Sequence, residues 1–156
     1  MKKNMRSSVF WLTDWLKGGK IRNHYKDVRF LYENPFTPEA VSRKNQYLVR
    51  ILEHARETVP YYQSKSALSI ITDFPVVNKE IIRSDADAFI SSKYKKESLF
   101  GVTTSGSTGT PFKVFKDKGK LTRHHAENIY FSELVGFYPG TRLYYLRVWN
   151  SVNRKG

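Results

Sequence analysis

The sequence contains no cysteine. That excludes disulfide staples, zinc sites built on thiolates and a cysteine nucleophile. Acidic residues are scarce: Asp plus Glu number 14 against 27 Lys plus Arg, a formal net charge of +13. No apolar run approaches the roughly eighteen residues that a membrane-crossing helix needs. Internal repeats are lacking too. Hydrophobic residues form 40% of the 156 positions and aromatic ones 15%. This supports a modest core and argues against wholesale disorder.

The excess of positive charge points to polyanions as partners: nucleic acid, an acidic membrane surface or phosphorylated small molecules. It is spread along the chain, however, and the plain competing reading is a solvated basic surface. Lys113, Lys116, Lys118, Lys120 and Arg123 face only Asp117, and Arg142, Arg147, Arg154 and Lys155 lie in an acid-free C-terminal stretch.

Near the N-terminus, Lys2, Lys3 and Arg6 precede the apolar Val9, Phe10, Trp11 and Leu12, but Thr13 and Asp14 interrupt the run and no cleavage site follows, which argues against a secretory signal. Met5, Val9, Leu12 and Leu16 recur at helical spacing. They predict a short amphipathic helix ended by Gly18-Gly19. Such a helix can lie on an anionic membrane, but docking on its own domain is the favoured expectation. Residues 20–36 show little periodicity and read as a linker. Thr37 is placed to cap a helix with Pro38 at its first position; Val41, Leu48, Leu52, Ala55 and Val59 continue it over 38–57, and Pro60 stops it. Asn78 caps a short helix from Lys79 to about Ala86.

From Phe100 the pattern turns to β. Phe100-Gly101-Val102-Thr103 and Phe112-Lys113-Val114-Phe115-Lys116 read as two strands of a hairpin around a loop, 104–111. A helix is expected over 119–135 with Leu121, Ile129, Leu134 and Val135 inward and Gly136 as its stop. A turn at Pro139-Gly140 and a strand from Arg142 to Val148 follow.

The loop carries the chemistry. Six of the nine residues Thr103-Thr104-Ser105-Gly106-Ser107-Thr108-Gly109-Thr110-Pro111 bear a hydroxyl and two are glycine. Glycine lets backbone approach a ligand, successive N–H groups can form a nest for an anion, and hydroxyls donate to phosphate oxygens. The Walker pattern is approached by Gly101 to Thr108, but Ser107 stands where its lysine belongs and a strand follows instead of a helix. A Ser/Thr/Gly spacer is the structural competitor. Other candidates are weaker. The neighbours His124 and His125 face apart on a helix and do not make a metal site. Asp85 and Asp87 read as solvated acids, Arg147 as an ion-pair residue, and Tyr61-Tyr62 as packing against a helix end.

Thr104-Ser105-Gly106-Ser107-Thr108-Gly109-Thr110-Pro111 resembles the phosphate loop of the AMP-forming, adenylate-forming ligases, the acyl-CoA synthetases and their relatives. His54-Ala55-Arg56-Glu57-Thr58-Val59-Pro60-Tyr61-Tyr62 and Phe74-Pro75-Val76-Val77-Asn78-Lys79-Glu80-Ile81-Ile82-Arg83 are similar to the N-terminal region of phenylacetate–CoA ligase-like proteins, in particular the branch linked to capsular polysaccharide biosynthesis. The resemblance spans about residues 38–148.

The resemblance implies that a carboxylate attacks the α-phosphate of ATP, pyrophosphate leaves, and an acyl-adenylate then passes its acyl group to a thiol, amine or hydroxyl. Mg²⁺ would neutralise phosphate charge. Thr104, Ser105, Ser107, Thr108 and Thr110 would supply hydroxyls and Gly106 and Gly109 close approach. Lys113 is a further phosphate-binding candidate, although many members carry lysine directly after the loop proline, where this chain has Phe112. Complete members are more than twice as long, so the resemblance implies an N-terminal portion, inactive alone, with a complementing C-terminal polypeptide as a partner beside nucleotide and carboxylate. The implied fold class is α/β, or α+β for the portion in hand. It divides into an N-terminal helix and linker at 1–36, a helical subregion at 37–92 and the start of an α/β AMP-binding domain at 93–156. ATP use and the absence of an export signal imply the cytoplasm. The alternative is a small basic module for nucleic acid or anionic membrane, though no RNA-binding signature is present.

Overall fold

The computed structural model describes residues 5–65, 68–104 and 112–142, the side chain of Thr104 excepted. The expected loop at 105–111 and most of the strand expected at Arg142 to Val148 lie outside them. The described chain is mostly helical with one small two-stranded antiparallel sheet, an α+β composition. No helix among the described residues is long and apolar enough to cross a membrane.

Helix α1 spans Met5–Leu16 and α2 spans Lys20–Glu33. Gly18 and Gly19, both at positive φ, make the corner between them, a conformation that costs glycine little. Asp14 is what fixes the corner. It is buried, and its carboxylate accepts hydrogen bonds from the backbone N–H groups of Ile21 (3.1 Å) and Arg22 (2.9 Å), satisfying the orphan donors at the start of α2. The linker expected at 20–36 is therefore corrected: residues 20–33 are a 14-residue helix. Its buried apolar set is only Val28 and Leu31, too sparse a stripe to register as periodicity.

Helix α3 spans Pro38–Thr58, slightly beyond the predicted end. Thr37 caps it as expected, accepting from the Ala40 N–H, and Pro38 occupies the first turn. Val59 is extended, and the four-residue helix α4, Pro60–Gln63, restarts the chain in a new direction. Short 3₁₀ turns cover Ile71–Asp73, Asp87–Phe89 and Lys96–Ser98, and α5 covers Lys79–Ser84. Strands β1, Phe100–Thr104, and β2, Phe112–Lys116, pair antiparallel, and α6 runs Lys118–Leu134 with Asp117 as its cap.

Helix α6 packs chiefly on α2. The inward residues of α6 are Ala126 and Tyr130, both buried, whereas Leu134 and Val135, expected inside, are exposed. Ala126 has no bulk to hold the helices apart, and the rings of Tyr25, Tyr32 and Tyr130 fill the seam, with centroids 6.4 Å (Tyr25–Tyr130) and 5.7 Å (Tyr32–Tyr130) apart. Polar links close the same interface. Tyr25 donates to Glu133 at 2.5 Å; burial, then that carboxylate, pushes the phenol up to about 12. Asp27 accepts from Arg43 (3.0 Å), Tyr47 (2.9 Å) and Arg123, tying α2 to both α3 and α6.

The apolar row read for α3 also needs correction. Val59 is buried and Leu52 and Ala55 are half-buried, but Val41 and Leu48, with Ile51 alongside, are exposed. Cover along this helix is partial: Arg43 and Tyr47 meet Asp27 of α2 in its first half, and Thr58 meets Ser91 at its end.

Candidate functional site

The site begins with the stem of the hairpin. Phe100 pairs with Lys116, Val102 with Val114, Thr103 with Lys113 and Thr104 with Phe112. Antiparallel pairing at Thr104 and Phe112 brings the two ends of the glycine and hydroxyl segment side by side. Of the residues predicted to bind phosphate, Thr104 ends β1 and Lys113 lies in β2; Ser105, Gly106, Ser107, Thr108, Gly109 and Thr110 fall outside the described residues.

Alternation in β2 puts Phe112, Val114 and Lys116 on one face and Lys113 and Phe115 on the other. Lys113 leans back along the strand. Its Nζ sits 5.0 Å from the Phe115 ring centroid, and its Cε occupies the space a side chain at position 101 would take, 2.7 Å from where a Cβ would lie. Gly101 and Phe115 are two positions farther from the loop than Lys113's own partner Thr103. The ammonium is thus drawn away from the loop end.

Two other cations approach that end. Lys79 Nζ lies 6.0 Å and Arg83 Cζ 5.8 Å from the ring centroid of Phe112, the first residue after the loop proline. They stand four residues apart, on one face of α5. Asn78 fixes that short helix by accepting from the Ile81 N–H at 2.9 Å. In the sequence Lys79 and Arg83 stand only as members of the stretch Phe74 to Arg83, with no sign of a site of their own. Nothing in their spacing from residue 112 signals the meeting, which depends on how 85–99 folds back.

A cleft of about 320 Å³ opens beneath the hairpin, lined among others by His54, Ile82, Phe89, Tyr94, Leu99 and Lys113. Its far wall is pinned to α3. The buried Ser91 hydroxyl donates to Thr58 Oγ1 at 2.9 Å, Thr58 Oγ1 donates to the His54 carbonyl at 2.6 Å, and the Ser92 N–H donates to the Thr58 carbonyl at 2.7 Å. Tyr61 stacks on Phe89 at 4.2 Å, and Tyr62 meets Phe74 edge-on at 5.3 Å. The sequence suggested packing against a helix end; the two rings instead pack on phenylalanines of the 71–74 and 87–89 turns. Burial raises the Tyr62 hydroxyl above its ordinary range.

The weaker candidates fall elsewhere. His124 lies beside Glu127 and Asn128 on α6. Asp85 accepts from the Ala88 N–H, and Asp87 pairs with Lys96. Among the described residues no three histidines or acids converge as metal ligands. Chemically, the hairpin end joins apolar ring surface with two cations, a setting that attracts an anion. No family model, curated protein or solved structure matches the chain.

Proposed function

We propose that the chain is the phosphate-gripping portion of an AMP-forming carboxylate ligase of the phenylacetate–CoA ligase-like kind, with the helical region and first strands of its adenylating domain. The observation that carries this reading is the closed stem at Thr104 and Phe112 with Lys79 and Arg83 drawn up to it. Backbone N–H groups and hydroxyls from Thr104 to Thr110 hold the β- and γ-phosphates of ATP, and Gly106 and Gly109 permit close approach. Lys79 and Arg83 supply the charge that a lysine directly after the loop would supply in other members. A carboxylate oxygen then bonds to the α-phosphorus as the bond to the bridging oxygen breaks, and pyrophosphate departs with the electron pair. Among the described residues no three histidines or acids converge as metal ligands, so Mg²⁺ would be held chiefly by the phosphates of ATP and would neutralise their charge there.

Binding of ATP and of pyrophosphate to the whole chain, followed by calorimetry, tests the reading. The expected result is one saturable site for which the two compete, weakened by Gly106→Val, with no sustained ATP–pyrophosphate exchange by this chain alone. Absence of saturable binding at about 1 mM ATP, a level that detects even weak sites, overturns it.

A further inference from the structure

We propose that α1 and the α1–α2 corner form a docking surface for a membrane leaflet bearing anionic headgroups, an inference independent of the ligase reading. A helix docked by its apolar stripe should bury that stripe. In α1 the arrangement is inverted. The side facing the rest of the molecule carries Trp11, half-buried, and Asp14, buried among the amides of α2. Met5, Val9, Leu12 and Leu16 recur on the opposite side at steps of four, three and four and are all exposed, Met5 at 80% and Leu16 at 71%. Trp15 borders this row and is 65% exposed.

The charges that border the row are basic. Arg6 and Lys17 flank it on one edge by helical register. On the other, a groove of about 470 Å³ is lined by Trp15, Gly18, Gly19, Arg22, Asn23 and Lys26. A Cβ at Gly18 or Gly19 would meet nothing within 4 Å, so the floor of the groove is open. Arg22 is held in place by the Trp11 ring, 5.6 Å from its Cζ. The nearby acids are already engaged: Asp14 by backbone N–H groups, Asp27 by Arg43 and Arg123, and Glu33 by Arg29.

This pattern matches a leaflet on both counts. An apolar row one helix wide sinks to acyl-chain depth, Trp15 sits at headgroup level, and Arg22 and Lys26 meet phosphate or carboxylate groups beside it. A nucleic acid would use the cations but leave the apolar row in water.

The test is co-sedimentation of the whole chain with phosphatidylcholine vesicles, with and without phosphatidylserine at about a third of the lipid. The expected result is binding to the serine-containing vesicles only, with a blue shift of tryptophan emission that disappears in Trp15→Phe. A Leu12→Ser, Leu16→Ser variant whose circular dichroism matches the parent should lose at least about tenfold in binding. Lys17→Gln with Lys26→Gln should lose about tenfold as well. Three outcomes overturn the proposal: no vesicle binding, including the case in which an oligonucleotide binds through Lys17 and Lys26 instead; equal binding to neutral vesicles; or undiminished binding by the Leu12, Leu16 variant. A dimer in sedimentation that the Leu12, Leu16 changes dissolve would assign the face to a second copy and equally overturn it.

Discussion

Arg123 on α6 donates to the Asp27 carboxylate on α2 across 96 residues of sequence, and Arg43 of α3 donates to the same group from the other side. Three helices therefore meet at one acid that is largely shielded from water, with a side chain 14% exposed. Burial pushes the Asp27 carboxyl up, but hydrogen bonds from Arg123, Arg43 and Tyr47 outweigh it and hold the group below the ordinary carboxylate range.

Acid should weaken this junction. A carboxyl that titrates lower in the folded chain than its unfolded value of about 3.9 adds stability that is complete above that pH and is lost as pH falls through the folded value. Asp27→Asn should cost about 1–3 kcal/mol at neutral pH. It should also flatten the fall in stability below about pH 4. Urea unfolding of parent and variant at pH 7, 4 and 3 reads both effects, and an unchanged acid limb would remove Asp27 from the account.

Burial predicts opposite outcomes for two leucines. Leu31 is 8% exposed on α2, and Leu31→Ala should cost about 2–4 kcal/mol through lost burial and the cavity left behind. Leu16→Ala, on the open face of α1, should stay within about 0.5 kcal/mol. Thermal melts of the two variants, compared at equal concentration, distinguish them.

Gly140 sits at φ +88 against α1, where an added Cβ would lie 2.5 Å from Arg6 Cβ and 3.1 Å from the Arg6 and Ser7 backbone. Gly140→Ala meets both a left-handed conformation and a backbone collision, and should cost about 1–3 kcal/mol. Gly18→Ala, with open space around it, should cost only about 1 kcal/mol from the positive φ alone. Denaturant midpoints rank the two, and a reversed order would refute the contact.

At the hairpin end, the cations over Phe112 and the lysine over Phe115 should behave differently. Lys79→Gln with Arg83→Gln should weaken ATP and pyrophosphate binding by about tenfold or more, a loss of one or two charge-assisted hydrogen bonds. Lys113→Gln should change it less than about threefold, because its ammonium is drawn back toward Phe115. Calorimetric titration of the three proteins decides, and a larger effect from Lys113 would return it to the phosphate site.

Local chemistry was enough to read much of the chain from sequence. The spacing of Met5, Val9, Leu12 and Leu16 with Gly18-Gly19 bounded α1; Thr37-Pro38 and Val59-Pro60 bounded α3; alternation in Phe112 to Lys116 marked β2. Each is a signal within a few residues, arising from backbone sterics, capping and side-chain period. Tertiary structure alone decided that 20–33 is a helix, because its burial comes from partners a hundred residues away and from polar groups such as Tyr25 and Asp27. It also decided that α6 turns Ala126 and Tyr130 inward, that α1 keeps its apolar row outside, and that Lys79 and Arg83 arrive at Phe112. A helix's apolar stripe announces that it wants cover; which face receives it depends on the competing surfaces that the folded chain brings near, and those are not local in sequence.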